Sequence, residues 1–461
     1  MRKLLFLILI TMGWTMRAQN QQSSQPDIHP RLKIQNLHND EFQPRSGGLC
    51  LGEDGEVYVS TWTTAGSVFR HSGKVGDTSV VRVAAGLSEP LGLHFFDGDM
   101  YVAQRQELTR LRDTDQDGIF DLYETVYDDW PQTGNFHEVA FGLPRWGDAF
   151  LVGLAVPTTP AGVTIAGEGR GQILKISMQG EATVFASGLN TPSGMSVGMD
   201  DQLLVTDQLG AKTKAARLLL LKEGDDAGYQ DSLLTDEALK PFLWLPRNAI
   251  FEKPGQALLL KQGPYAGQIL IGDVVGGTMA RVSHETVNGQ RQGCLYRFSK
   301  GFDAGIFRLV EAPSGNVFLG GLDGNGNWGF PRSRRIALHR LEWQEAEAFE
   351  IEQISARQNG FVLTFSEGIA PAAQDSLLGL QLTQWRYDEK VRVQDEEPIE
   401  LDSLHLSADR KQLFVETSDH QAGRVVHLRF VSSLVSEKGN LLLTEDAWYT
   451  LNEIPDTKGP N

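Results

Sequence analysis

The sequence predicts an all-β chain, a six-bladed β-propeller followed by an immunoglobulin-like β-sandwich. Three observations carry that expectation. A turn-plus-strand unit recurs six times. The segment Val83-Ala84-Ala85-Gly86-Leu87-Ser88-Glu89-Pro90-Leu91-Gly92-Leu93 returns as Phe185-Ala186-Ser187-Gly188-Leu189-Asn190-Thr191-Pro192-Ser193-Gly194-Met195. Almost no 3.6-residue apolar periodicity occurs between Gln43 and Trp343.

The recurring unit is a hairpin turn feeding an apolar strand, as in Asp54-Gly55-Glu56-Val57-Tyr58-Val59 and Asp97-Gly98-Asp99-Met100-Tyr101-Val102. Its markers are Gly55, Gly98, Gly147, Asp201, Gly267 and Gly315, spaced by 43, 49, 54, 66 and 48 residues. That is the period of propeller blades, four-stranded sheets that bury their faces against one another around a ring. The long fourth interval holds an acidic, loop-like insertion at 222–245, with one short helix expected. The long third interval holds a Pro- and Gly-rich loop at 157–171. Both are expected above the ring, where loops shape a site.

Four segments follow along the chain: a signal peptide at 1–18, an N-terminal extension at 19–42, the propeller at 43–344 and the sandwich at 345–461. The first begins Met1-Arg2-Lys3, continues with a short apolar run, and reaches small and polar residues at Ala18-Gln19-Asn20. This pattern predicts export, to the periplasm or outside the cell, and the run is too short to span a bilayer. No integral membrane segment is expected later. The sandwich is read from alternating strands at 360–365, 412–417 and 424–430.

The formal net charge of −17, with no extended basic tract, argues against nucleic acid and acidic membranes as partners. The two cysteines, Cys50 and Cys294, fall in the first and fifth repeats and are not expected to meet.

One loop carries explicit metal chemistry. Residues 113–124 read Asp-Thr-Asp-Gln-Asp-Gly-Ile-Phe-Asp-Leu-Tyr-Glu and match the calcium-loop pattern D-x-[DN]-x-[DN]-G-x₅-E. The predicted ligands are Asp113, Asp115, Asp117, the Ile119 carbonyl, Asp121 and Glu124, with Gly118 making the sharp turn. A solvated acidic turn is the plain alternative, but so many carboxylates repel one another without a cation. A strand rather than a helix enters the loop, so the ion is expected to be structural and not a sensor.

Residues just before the innermost strand of each blade line the mouth of the central channel. Those positions hold Ser88-Glu89, His137-Glu138, Asn190-Thr191 and Arg247-Asn248. His137 is either a general base or a hydrogen-bonded structural histidine. His94 reads as a core residue, and the run 332–335 as a solvated basic face. The loop 323–327 starts like a second calcium loop but has Trp328 where glycine is needed.

The runs Pro90-Leu91-Gly92-Leu93, 99–105, 108–113 and 134–143, with the closing Tyr449-Thr450-Leu451-Asn452, resemble secreted bacterial propellers related to the soluble quinoprotein glucose/sorbosone dehydrogenases. The resemblance implies hydride transfer from a sugar hydroxyl carbon to pyrroloquinoline quinone, with His137 as base. It places 188–194 at the cofactor. It also matches Asp207-Gln208-Leu209-Gly210 to a loop whose backbone helps hold a second calcium.

The departures predict a cofactor site short of cations. The family's arginine falls on Asn190, its lysine near Val275-Gly276, and its sixth-blade arginines near Gly305 and Phe307. Three carboxylates of a buried quinone need charged partners, and Arg105, Arg247 and Arg281 are the candidate substitutes. Three functions follow: a quinone-linked sugar or alcohol dehydrogenase, a non-catalytic or hydrolytic propeller that binds carbohydrate through Trp62, Trp328 and Arg105, or a docking module. Cations facing His137 favour the first, exposed aromatics and amides the second, and a plugged channel the third.

Overall fold

The computed structural model describes residues 28–159, 164–165, 167–210, 212–323, 328 and 338–459. The predicted signal peptide, the loop tip 324–327 and the basic run 332–335 lie outside the described residues.

Six sheets surround a channel. Their innermost strands are Ser46–Leu51, Gly92–Phe96, Ala140–Phe141, Pro192–Val197, Pro254–Leu259 and Gly305–Glu311. Each pairs antiparallel with the strand that follows the marker turn. All six markers have positive φ, from 53° at Asp201 to 84° at Gly55 and Gly267. Glycine adopts that conformation without a Cβ clash, which is why it dominates the repeat.

The ring closes because neighbouring inner strands approach with little side chain between them. A Cβ at Gly92 would stand 1.5 Å from the carbonyl oxygen of Gly142, and one at Gly47 would stand 2.2 Å from that of Pro90. Only glycine permits these blade-to-blade contacts.

Two findings revise the expected segmentation. The strand Leu32–Asn36, within the predicted N-terminal extension, pairs with Leu338–Trp343 and forms the outer strand of the sixth blade. The ring is therefore closed by the two ends of the propeller segment. The sandwich is also not separate. Its strand Asp446–Leu451 pairs with Gln290–Lys300, the outer strand of the fifth blade, so one eight-stranded sheet runs from the channel into the sandwich. The opposing sandwich sheet contains Ile351–Arg357 and Gly360–Phe365, and the core between the sheets includes Phe361, Phe365, Leu428 and Tyr449.

A buried polar cluster ties these parts together. Glu350 accepts hydrogen bonds from Tyr265 (2.6 Å), Arg281 (3.1 Å) and Arg31 (3.2 Å). Burial pushes this carboxyl up, but Arg281 and its other partners outweigh that and hold it at about 2. Arg281 is thus spent at the sandwich junction and is not available as a mouth cation.

The expected helix in 222–245 is absent. The segment instead forms a short hairpin, Tyr229–Gln230 with Leu233–Leu234, and then the outer strand Leu243–Pro246 of the fourth blade. Both cysteines are buried and unbridged. Among the described residues no helix is long and apolar enough to cross a membrane.

Candidate functional site

The mouth is built by one device used in several blades. The residue at or just after the end of the second strand turns its side chain back onto the backbone entering the inner strand. Gln104 accepts from Ser88 N (2.5 Å), Asp207 from Asn190 N (3.0 Å) and Thr191 N (2.8 Å), and Asp273 from Glu252 N (3.1 Å) and Lys253 N (2.9 Å). These clamps hold the entry loops in register.

The Asp207 carboxylate is committed to this wall. It is fully enclosed and ion-paired with the equally enclosed Arg217 at 2.7 Å. Its carboxylate braces the wall. Asn190 is likewise buried and committed, donating to Thr164 Oγ1 (2.8 Å) and accepting from Thr191 Oγ1 (2.7 Å).

His137 stands on the loop entering the third inner strand. Glu138 is buried and organises that loop by accepting from Thr133 N (2.7 Å), Thr133 Oγ1 (2.9 Å) and Asn135 N (3.2 Å). The Asn135 side chain accepts in turn from His137 N (3.0 Å). Arg170 underpins the loop with hydrogen bonds to the carbonyls of Ala155 and Val139, both 2.8 Å. Arg105 joins the rim by bridging Glu89 and the Asn135 carbonyl.

The His137 ring nitrogens have no hydrogen-bond partner among the described residues. Partial burial, and then the charge of Lys253, push the imidazole down to about 4, so it is neutral at pH 7. Lys253 is lowered to about 8, by burial first and Arg247 next, and remains mainly protonated at pH 7. Its ammonium lies 4.8 Å from the centre of the Trp328 ring. Arg247 is half-buried and donates to the Gly210 carbonyl (2.9 Å). Asn248 is exposed on a turn with φ of 62°, where its side chain is not enclosed by the mouth.

Lys253 was not among the predicted site residues, although a signal for it exists. Glu89-Pro90, Thr191-Pro192 and Lys253-Pro254 all place a polar residue directly before a proline leading into the inner strand. Counting back from Pro254, rather than from the preceding blade's outer strand, identifies it. Lys253 thus adds a cation whose charge reaches His137.

Beneath the mouth, Trp62, Phe141, Phe307 and Trp328 form an aromatic layer with ring centres 5.8–6.4 Å apart. Both tryptophans are nearly enclosed, at 8% and 7% exposure. They form the floor and do not stand free as sugar-stacking platforms. Below them lies Arg308, wholly buried against Phe307.

The acidic loop lies apart, on the outer hairpin of the second blade between Leu108–Arg112 and Leu122–Tyr127. One carboxylate oxygen from each of Asp113, Asp115 and Asp117 lies within 4.8 Å of the others. Oxygens on opposite sides of a calcium ion at about 2.4 Å are separated by that much. Gly118 makes the sharp turn at φ 87°. Asp121 is turned instead to Thr114 N (2.7 Å) and Oγ1 (2.5 Å). Glu124 sits within the outgoing strand, 3.7 Å from Arg112, and Ile119 packs partly into the core below.

The structure resembles solved propellers. A putative glucose dehydrogenase from Thermus thermophilus matches with a TM-score of 0.54 and 16% identity, over 68% of this chain and 100% of that one. The PQQ-bound aldose sugar dehydrogenase of Streptomyces coelicolor matches with a TM-score of 0.54 and 13% identity, over 70% and 100%. A Trichoderma reesei enzyme of carbohydrate-active family AA12 matches with a TM-score of 0.50 and 14% identity, over 70% and 100%. At these identities the likeness establishes the β-propeller fold. No protein-family model and no curated protein matches the chain.

Proposed function

We propose that this protein is an exported, quinone-linked dehydrogenase acting on a sugar or related alcohol at the channel mouth. The observation that carries the reading is His137: a neutral imidazole whose ring nitrogens have no hydrogen-bond partner among the described residues, held on a braced loop within reach of the Lys253 charge. The fold shared with sugar dehydrogenases supports it.

In this reading His137 accepts the proton of the substrate hydroxyl as the carbon beside it gives up hydride. A base must be unprotonated at working pH to do so. Lys253 and Arg247 supply positive charge that suits the carboxylates of pyrroloquinoline quinone, and Arg105 holds the rim. When bound, the quinone would serve as the hydride acceptor. Glu138 and Asn135 position the His137 loop, and the aromatic floor keeps water from entering from below. The enclosed tryptophans speak against the carbohydrate-stacking alternative.

The test uses the exported chain with calcium and pyrroloquinoline quinone. A bound-quinone absorption spectrum and dye reduction with at least one sugar of a panel are expected. The absence of both the spectrum and dye reduction would refute the proposal.

We also propose that Asp113, Asp115 and Asp117 begin a structural calcium site, completed by the Ile119 carbonyl and by rotation of Asp121 and Glu124 from their present partners. Calorimetric titration should show saturable calcium binding that is lost in the Asp115→Ala, Asp117→Ala double variant. Unchanged binding in that variant would refute the site.

A further inference from the structure

The channel continues below the aromatic floor as a cavity of about 440 Å³, lined by residues from all six blades. It lies on the side away from His137. Arg308 stands at its head, only 3% exposed. The guanidinium donates to the carbonyls of Gly47 (2.8 Å), Ser193 (2.7 Å) and Leu91 (2.8 Å), tying together the first, second and fourth blades. These bonds use three of its five N–H groups. No carboxylate pairs with it among the described residues. Burial lowers its pKa only to about 9, so it keeps its charge at neutral pH. A buried charge held by carbonyl dipoles and the face of Phe307, with no counter-anion among the described residues, is costly, and an anion would relieve that cost.

The rest of the cavity points the same way. Its charged lining is Arg145, Lys261, Arg308 and Glu311, three cations against one anion, in a chain with a net charge of −17. The one acid is already engaged by Lys261 N (2.8 Å) and Gln262 N (3.0 Å). Between the charged ends the walls are apolar, with Leu49, Leu93, Val197 and Leu258 among them. A bare inorganic ion would leave most of this volume unfilled and its own far side poorly solvated. The volume is in the range of small-molecule sites.

We propose that this lower cavity is a second ligand site, independent of the mouth, which takes a small organic acid: a carboxylate carried on a short apolar body. The carboxylate is drawn by the Arg308 charge, and the body packs against the leucine and valine walls.

The probe is hexanoate, with hexanol as its uncharged counterpart, titrated calorimetrically into the full exported chain. Saturable hexanoate binding is expected, at least tenfold tighter than hexanol, together with a rise in the thermal midpoint. Val197→Trp and Leu258→Trp, which fill the cavity, should each weaken hexanoate at least tenfold while calcium binding is retained. Arg308→Met should remove the preference for hexanoate over hexanol. Because that variant loses three inter-blade bonds and is at risk of misfolding, the two cavity-filling variants keep the proposal testable. Failure of hexanoate to bind, equal binding of hexanol, or binding unaffected by both cavity-filling variants would each overturn it.

Discussion

Replacing Asp207 by alanine is expected to destabilise the protein by about 3–5 kcal/mol, the usual cost of removing one partner from a buried ion pair. Arg217 would remain fully enclosed with only the carbonyls of Ala227 (2.6 Å) and Gly188 (3.3 Å) as hydrogen-bond partners. The amides of Asn190 and Thr191 would lose their acceptor at the same time. Urea unfolding followed by tryptophan fluorescence measures the loss. The double replacement Asp207→Leu, Arg217→Met should be milder than Asp207→Ala, because it leaves no unpaired charge. A single variant within about 1 kcal/mol of the parent, the range of ordinary point substitutions, would show that Asp207 does not brace the wall.

The second large effect is expected at His137. His137→Ala should lower dye-linked sugar oxidation by about 10²–10⁴-fold, the range for loss of a general base. Lys253→Met should raise the imidazole pKa from about 4 towards its ordinary 6.5, since it removes a like charge, though burial will keep part of the depression. NMR titration of the His137 ring reads this directly, and an unchanged midpoint would show that Lys253 does not act on it. The linkage has a definite sign. Unfolded imidazole takes a proton near 6.5, whereas the folded ring takes one only near 4. Stability from this group is therefore complete above 6.5 and is lost as pH falls from 6.5 towards 4. In Lys253→Met that loss should be smaller.

The propeller was readable because its evidence is local. A turn needing positive φ, followed by an apolar strand, leaves the same mark in each blade, and Gly55, Gly98, Gly147, Gly267 and Gly315 all carry it. The acidic loop is local in the same sense, since its three clustered aspartates lie within five residues. The helix expected in 222–245 failed for the opposite reason. Its polar residues look alike in a loop, a helix or a short hairpin, and pairing of Leu243–Pro246 with Ala215–Leu221 decided the outcome.

The sequence by itself determined the all-β architecture, the six-fold repeat, the acidic loop and His137 at a blade entrance. Each depends on spacing within a few tens of residues. Only the tertiary structure decided that Asp207 braces the wall, that the charge of Lys253 reaches His137, that Arg281 is spent on Glu350, and that Arg308 joins Gly47, Leu91 and Ser193 across the channel. It also decided that the strand Leu32–Asn36 closes the ring and that Asp446–Leu451 extends the fifth blade. These contacts join residues up to about three hundred positions apart, as Leu32 and Trp343 show. Ring closure brings them together, and no local propensity or spacing records which side chains will then share a low-dielectric interior.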